Sequence, residues 1–177
     1  MRNRVVCLLI IVMNSGNRVH FADSFSVSVP ATRSVCKSMK PGHDQYKPQA
    51  SSSSPGNVTT DITQVRGGET VDEILVSLVT IYARNGEKFK GFYIQARDEK
   101  GAPIGTFNEN TYVKTHSCGG IKSNAAHHVN SEDKTKVQVS WTAPANYNGR
   151  VQILATIVQR FNTYWTGIKA NAISVVG

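Results

Sequence analysis

The stretch from Lys134 to Trp141 constrains this chain most. Thr135, Val137, Val139 and Trp141 alternate with Lys134, Lys136, Gln138 and Ser140. A period of two is the signature of a strand with one face in an apolar core and the other in water. The same texture recurs along the chain. Strands are expected over Val58–Val65, Thr70–Ala83 (with Val71, Val76, Val79 and Ile81), Lys88–Arg97, Ile104–Phe107, Thr111–His116, Val151–Ile157 and Ile168–Val176. Between them stand turn formers: Arg66-Gly67-Gly68, Asn85-Gly86, Gly101-Ala102-Pro103, Pro144 and Asn148-Gly149. On Lys88–Arg97, Phe92, Ile94 and Ala96 share one face, and Tyr93, Gln95 and Arg97 the other. No segment carries a 3.6-residue apolar period of helical length, and no internal repeat is visible. Many short strands joined by Gly, Pro and Asn turns mean an all-β antiparallel sandwich or barrel.

The amino terminus has a separate purpose. Arg2 and Arg4 precede the apolar run Val5–Met13, and small residues follow near Ala22 and Ser24. The run is shorter than the roughly 20 residues that cross a bilayer, and the pattern is that of a secretory signal peptide over residues 1–22. The alternative is an N-terminal buried strand. No later stretch reaches transmembrane length, so an exported chain without a membrane span is expected. Cutting after Ala22 removes Arg2, Arg4 and Arg18 and no acid, which leaves 17 basic against 12 acidic residues, a net charge of +5. That excess suits anionic partners, although a basic surface also simply maintains solubility. Residues 23–56 form a partly flexible segment rich in Ser, Pro and Lys, ending in Ser51-Ser52-Ser53-Ser54-Pro55-Gly56. After export Cys7 is gone and Cys36 and Cys118 remain. In an oxidising compartment two such thiols pair, for a stabilisation of roughly 4–5 kcal/mol by loop-closure arithmetic. With no third thiol, a zinc cluster or a CxxC redox site is not expected.

Several blocks in order carry a family resemblance: Cys36-Lys37-Ser38-Met39-Lys40-Pro41-Gly42-His43 with Pro48-Gln49, Phe89-Lys90-Gly91-Phe92-Tyr93-Ile94-Gln95-Ala96-Arg97, Gly105-Thr106-Phe107, Cys118, Ser140-Trp141-Thr142-Ala143-Pro144, and Ala155-Thr156-Ile157-Val158 followed by Phe161 and Tyr164-Trp165. Over residues 35–170 the chain resembles the reeler domain, in particular the small secreted insect defence proteins made of one such domain. The resemblance implies an immunoglobulin-like β-sandwich in which Cys36 pairs with Cys118. Many reeler domains have a second disulfide, for which this chain has no cysteines. The membrane and oxidoreductase domains that follow the module in ferric-reductase-like proteins are not expected here, nor is an electron-transfer role. The defence branch further implies binding to microbial surface polysaccharide or lipopolysaccharide, or to haemocyte surfaces, with antimicrobial action as one form this could take.

Candidate chemistry is sparse. His43, His116, His127 and His128 could ligate a metal, but no acid stands at ligand spacing, and His127 and His128 on a strand point to opposite faces. Ser34-Val35-Cys36-Lys37 fits S-x-x-K, yet that chemistry needs the serine at a helix start and partner motifs elsewhere, neither of which the sequence suggests. The chain contains no G-x-S-x-G, no H-E-x-x-H and no phosphate-cradling glycine loop, so a protein that binds rather than catalyses is expected, without cofactor or nucleic-acid partner. Lys88, Lys90 and Arg97 on one strand and Lys134 and Lys136 on another would make a cationic stripe beside Tyr93, suited to phosphate or sulfate groups. The plainer reading is a solvated lysine face that discourages edge pairing. Trp141 belongs to an apolar face and is expected in the core. Asn57-Val58-Thr59 is the sole N-x-S/T sequon, expected in a loop and open to glycosylation. The rival function is an adhesion module for extracellular matrix or glycosaminoglycan.

Overall fold

Alternating apolar residues form strands only if a second sheet covers them, and two sheets do so here. The computed structural model describes residues 29–42, 45–66 and 76–177; the expected signal segment, His43 and Val71 lie outside them. Among the described residues, a short helix, α1 (Arg33–Ser38), and a 3-10 turn at Ser51–Ser53 precede the strands β1 (Gly56–Thr60), β2 (Gln64–Arg66), β3 (Val76–Ala83), β4 (Gly91–Arg97), β5 (Thr106–Phe107), β6 (Val113–Cys118), β7 (Ile121–His128), β8 (Lys136–Thr142), β9 (Gly149–Arg160), β10 (Thr163–Lys169) and β11 (Ile173–Val176). The smaller sheet runs β1-β3-β8-β5. The larger runs β2-β11-β9-β4-β7-β6, with β10 also paired to β9. Pairing is antiparallel except between β2 and β11.

The expected strand Val58–Val65 is two strands in two sheets. The chain crosses at Asp61, whose backbone N–H donates to Leu78 O (3.3 Å) and whose carboxylate accepts from Leu78 N–H (2.9 Å). β9 is long enough to hold β10 beside Leu154–Arg160 and β11 beside Gly149–Val151 along one edge. A β-bulge in β10 lets Trp165 and Ile168 both turn inward, with Gly167 at φ 70° where the chain reverses its pleat. β7 forms without a period-two signal, since Ala125-Ala126-His127-His128 shows no alternation of apolar and polar residues.

The main core lies between the sheets. Val79, Ile81, Val139 and Trp141 of the smaller sheet meet Ile94, Ile153, Ala155 and Ile157 of the larger, all at most 1 % exposed. Burying each large aliphatic side chain contributes about 1.5–3 kcal/mol. Gly105 holds a tight corner against this core: its φ is 69°, and a Cβ there would lie 2.4 Å from Thr142 O and 2.5 Å from Trp141 Nε1. Gly105→Ala should therefore lower stability by at least about 2 kcal/mol, from left-handed strain plus a backbone clash, as measured by urea unfolding.

A second, smaller cluster sits on the outer face of the larger sheet. Val35 and Met39 from the helical segment pack there on Tyr93 and Ala125, next to Cys118. Thr32 caps α1 by accepting from Val35 N–H (3.2 Å), and Met39 in left-handed conformation (φ 56°) ends it. As a result β4 is buried on both faces from Gly91 to Ala96, not on one.

Candidate functional site

The outer face of β4 presents Tyr93, Gln95 and Arg97, and α1 closes over them. Cys36 in α1 and Cys118 at the end of β6 are joined by a disulfide across 82 residues of sequence. Beside it, Arg97 Nη2 donates to the carbonyls of Cys36 and Lys37 (both 3.0 Å) and to Gln95 Oε1 (2.7 Å). The guanidinium thus binds the last carbonyls of α1, which a helix leaves without internal partners. Gln95 Nε2 donates to Cys36 O and to Tyr93 Oη (both 3.1 Å). The Tyr93 hydroxyl donates to His116 Nε2 (2.8 Å), whose Nδ1 faces Val29 O at 3.3 Å and so carries the ring proton. Burial pushes the Tyr93 phenol up to about 12, against opposing pulls from Gln95 and Arg97. Thr156 Oγ1 donates to Met39 O (2.6 Å) and secures the far end of the same segment.

Among the expected cationic contacts, Arg97 and Lys134 are occupied internally, which corrects the continuous stripe. Lys134 is 6 % exposed, and its ammonium donates to Lys90 O (2.9 Å), Asn130 O (2.7 Å), Asn130 Oδ1 (3.1 Å) and Glu132 O (2.7 Å). These acceptors replace the water a buried charge would lose. Tyr93, expected beside the stripe, is buried. Lys88, Lys90 and Lys136 are exposed. The Phe89–Lys134 bridge brings Lys88 and Lys90 to the start of β8, where Asp133 sits 3.5 Å from Lys88 and 3.4 Å from Lys90. Asn57 lies in strand β1 rather than in a loop, with its amide donating to Tyr82 Oη at 3.3 Å. The S-x-x-K stretch does fall at a helix start, contrary to expectation, with Ser34 and Lys37 both exposed and Cys36 held in the disulfide.

His127 and His128 are both buried, and against expectation their rings meet edge to face, 6.1 Å apart, rather than lying on opposite faces of the sheet. His127 stacks 5.4 Å from His116 on the outer face, and the His128 ring packs on Phe92 and fills the space left by Gly91. Among the described residues the candidate metal-ligating group is Cys36, His116 and Cys118, and both of its sulfurs are spent in the disulfide. Burial drives the His127 pKa down to about 4 and also lowers that of His116. A histidine near 6.5 when unfolded takes up its proton at higher pH in the unfolded chain than in the folded one. Its contribution is therefore complete above pH 6.5 and is lost as pH falls toward 4, at up to about 1.4 kcal/mol per pH unit. Urea unfolding at pH 4.5, 5.5, 6.5 and 7.5 should show this loss. His127→Gln should flatten the slope, while an identical slope would assign the effect to His116, whose pKa burial also lowers from the same starting value.

The roles of Arg97, Lys134 and the Tyr93–His116 pair were not visible in the sequence; the only available signal was three polar residues at alternate positions of a strand whose other face is apolar.

Comparison with known proteins fits this arrangement. A protein of Antheraea mylitta, provisionally named defense protein 3, is 32% identical over 148 residues, covering 82% of this chain and 85% of that protein. Ferric-chelate reductase 1 of Mus musculus is 33% identical over 144 residues, covering 78% of this chain. The chain spans 22% of that reductase, and 24% and 23% of related reductases of Danio rerio and Xenopus laevis. In structure, the human F-spondin reeler domain superposes with a TM-score of 0.58 at 20% identity, over 74% of this chain and 94% of that one, which shows a shared fold. The Reeler domain family model matches residues 34–177, from the helix that carries Cys36 to the last residue, and the chain belongs to the reeler domain family.

Proposed function

We propose that this chain is an exported innate-defence protein that works by binding microbial surface polysaccharide or lipopolysaccharide, with haemocyte surfaces as a second target. The observation that carries this reading is the similarity to the Antheraea mylitta protein along 85% of that protein's length. The disulfide supports it, since such bonds persist in oxidising compartments. The exposed Lys88, Lys90 and Lys136 supply cations for anionic polymers, and binding rather than catalysis is the expected mode. The test is retention of the folded, disulfide-bonded protein on lipopolysaccharide, β-glucan and whole bacteria at low and high salt. Binding that weakens with salt and in a Lys88→Gln, Lys90→Gln, Lys136→Gln variant supports the reading. Folded protein that binds none of these, and no haemocytes, overturns it. Retention on heparin alone would favour the matrix-adhesion reading.

A further inference from the structure

A cavity of about 150 Å³ opens between the segment around α1 and the outer face of the larger sheet. Its wall is mostly carbon, with Val35 and Met39 on one side and Val158 and Phe161 on the other. Phe161 stands 43% exposed at its edge. Three cations border it, Lys40, Lys90 and Arg160, and no Asp or Glu does among the described residues. All three are exposed, and only Lys90 has an acidic partner among the described residues, Asp133.

We propose that this cavity binds the alkyl end of a free, single-chain carboxylate of the fatty-acid class, with the carboxylate held among Lys40, Lys90 and Arg160. An apolar cavity of this volume stays dry and accepts a group the size of benzene, so about six carbons fit inside. An alkyl chain dissolved in water gains by entering such a space. A chain already packed in a bilayer is out of water and gains little, which favours the free ligand over a membrane lipid. The cation border explains the head group: an uncharged chain would gain the burial but not the attraction. This site is separate from the lysines invoked for microbial polymers, apart from Lys90, and stands or falls without that reading.

Butanoate, hexanoate, octanoate and decanoate would be titrated into the intact chain, with the Val35 and Val158 methyl resonances followed by NMR. Affinity should rise about four-fold per methylene until roughly six carbons are buried, then level off. Alcohols of equal length should bind more weakly. Val158→Phe should abolish the dependence on chain length, with an unchanged fold verified by its melting curve. Lys40→Glu combined with Arg160→Glu should weaken every carboxylate several-fold while preserving the dependence. No saturable shift at these methyls, or a chain-length dependence untouched by Val158→Phe, overturns the proposal. So does binding to phosphatidylglycerol vesicles without binding to free carboxylates.

Discussion

Cys36→Ser is expected to lower the stability of the folded chain by about 2–5 kcal/mol, the range for loss of a native disulfide from a small domain. The bond closes a loop of 82 residues, for which the chain-entropy relation gives about 4.5 kcal/mol as an upper figure. The loss is not confined to the unfolded state. α1 is only six residues long, too short to persist unaided, and it stays on the sheet through Val35, Met39, the Arg97 and Gln95 hydrogen bonds and the disulfide. Removing the covalent link leaves the hydrogen bonds to hold a segment that water can now enter. A melting temperature about 10 °C lower is the corresponding shift for a domain of this size. Calorimetry with and without a thiol reductant checks it. Identical curves would mean that the two cysteines are not bridged in the protein.

Trp141→Ala should cost about 3–5 kcal/mol. The indole is fully buried between the sheets, and its Nε1 donates to Ile104 O at 3.1 Å. Alanine removes both the packing and that carbonyl's partner, and the corner at Gly105, built against the ring, cannot collapse into the space without leaving its left-handed conformation. Trp141→Phe keeps most of the apolar volume and should cost less, dominated by the lost hydrogen bond. Urea unfolding measures both. A loss under about 1 kcal/mol for the alanine variant would contradict a core placement.

Trp141 was readable from the sequence because its neighbours Val137 and Val139 share its parity and Lys136, Gln138 and Ser140 do not. Phe92, Ile94 and Ala96 were readable for the same reason, as was the inward row Val151, Ile153, Ala155 and Ile157. The two cysteines and the reeler blocks carried the disulfide and the family. The opposite face of β4 could not be read this way. Tyr93, Gln95 and Arg97 look like solvent residues, and nothing nearby in sequence indicates that a segment some sixty residues earlier covers them. Lys134 misled similarly. Its parity placed it outward, but the chain folds back so that four oxygen atoms surround its ammonium.

Side-chain parity along a strand is a local property, so the sequence alone determined that the chain forms a two-sided β structure, which residues enter its core and which family it resembles. Which outer face is covered, which cations remain free and where a cavity opens depend on contacts between residues far apart in the chain. The covering of Tyr93, Gln95 and Arg97 and the cavity beside them exist only after α1 has docked on the larger sheet, whereas Lys134 is enclosed independently of α1 by Lys90, Asn130 and Glu132; both arrangements were decided by the tertiary structure.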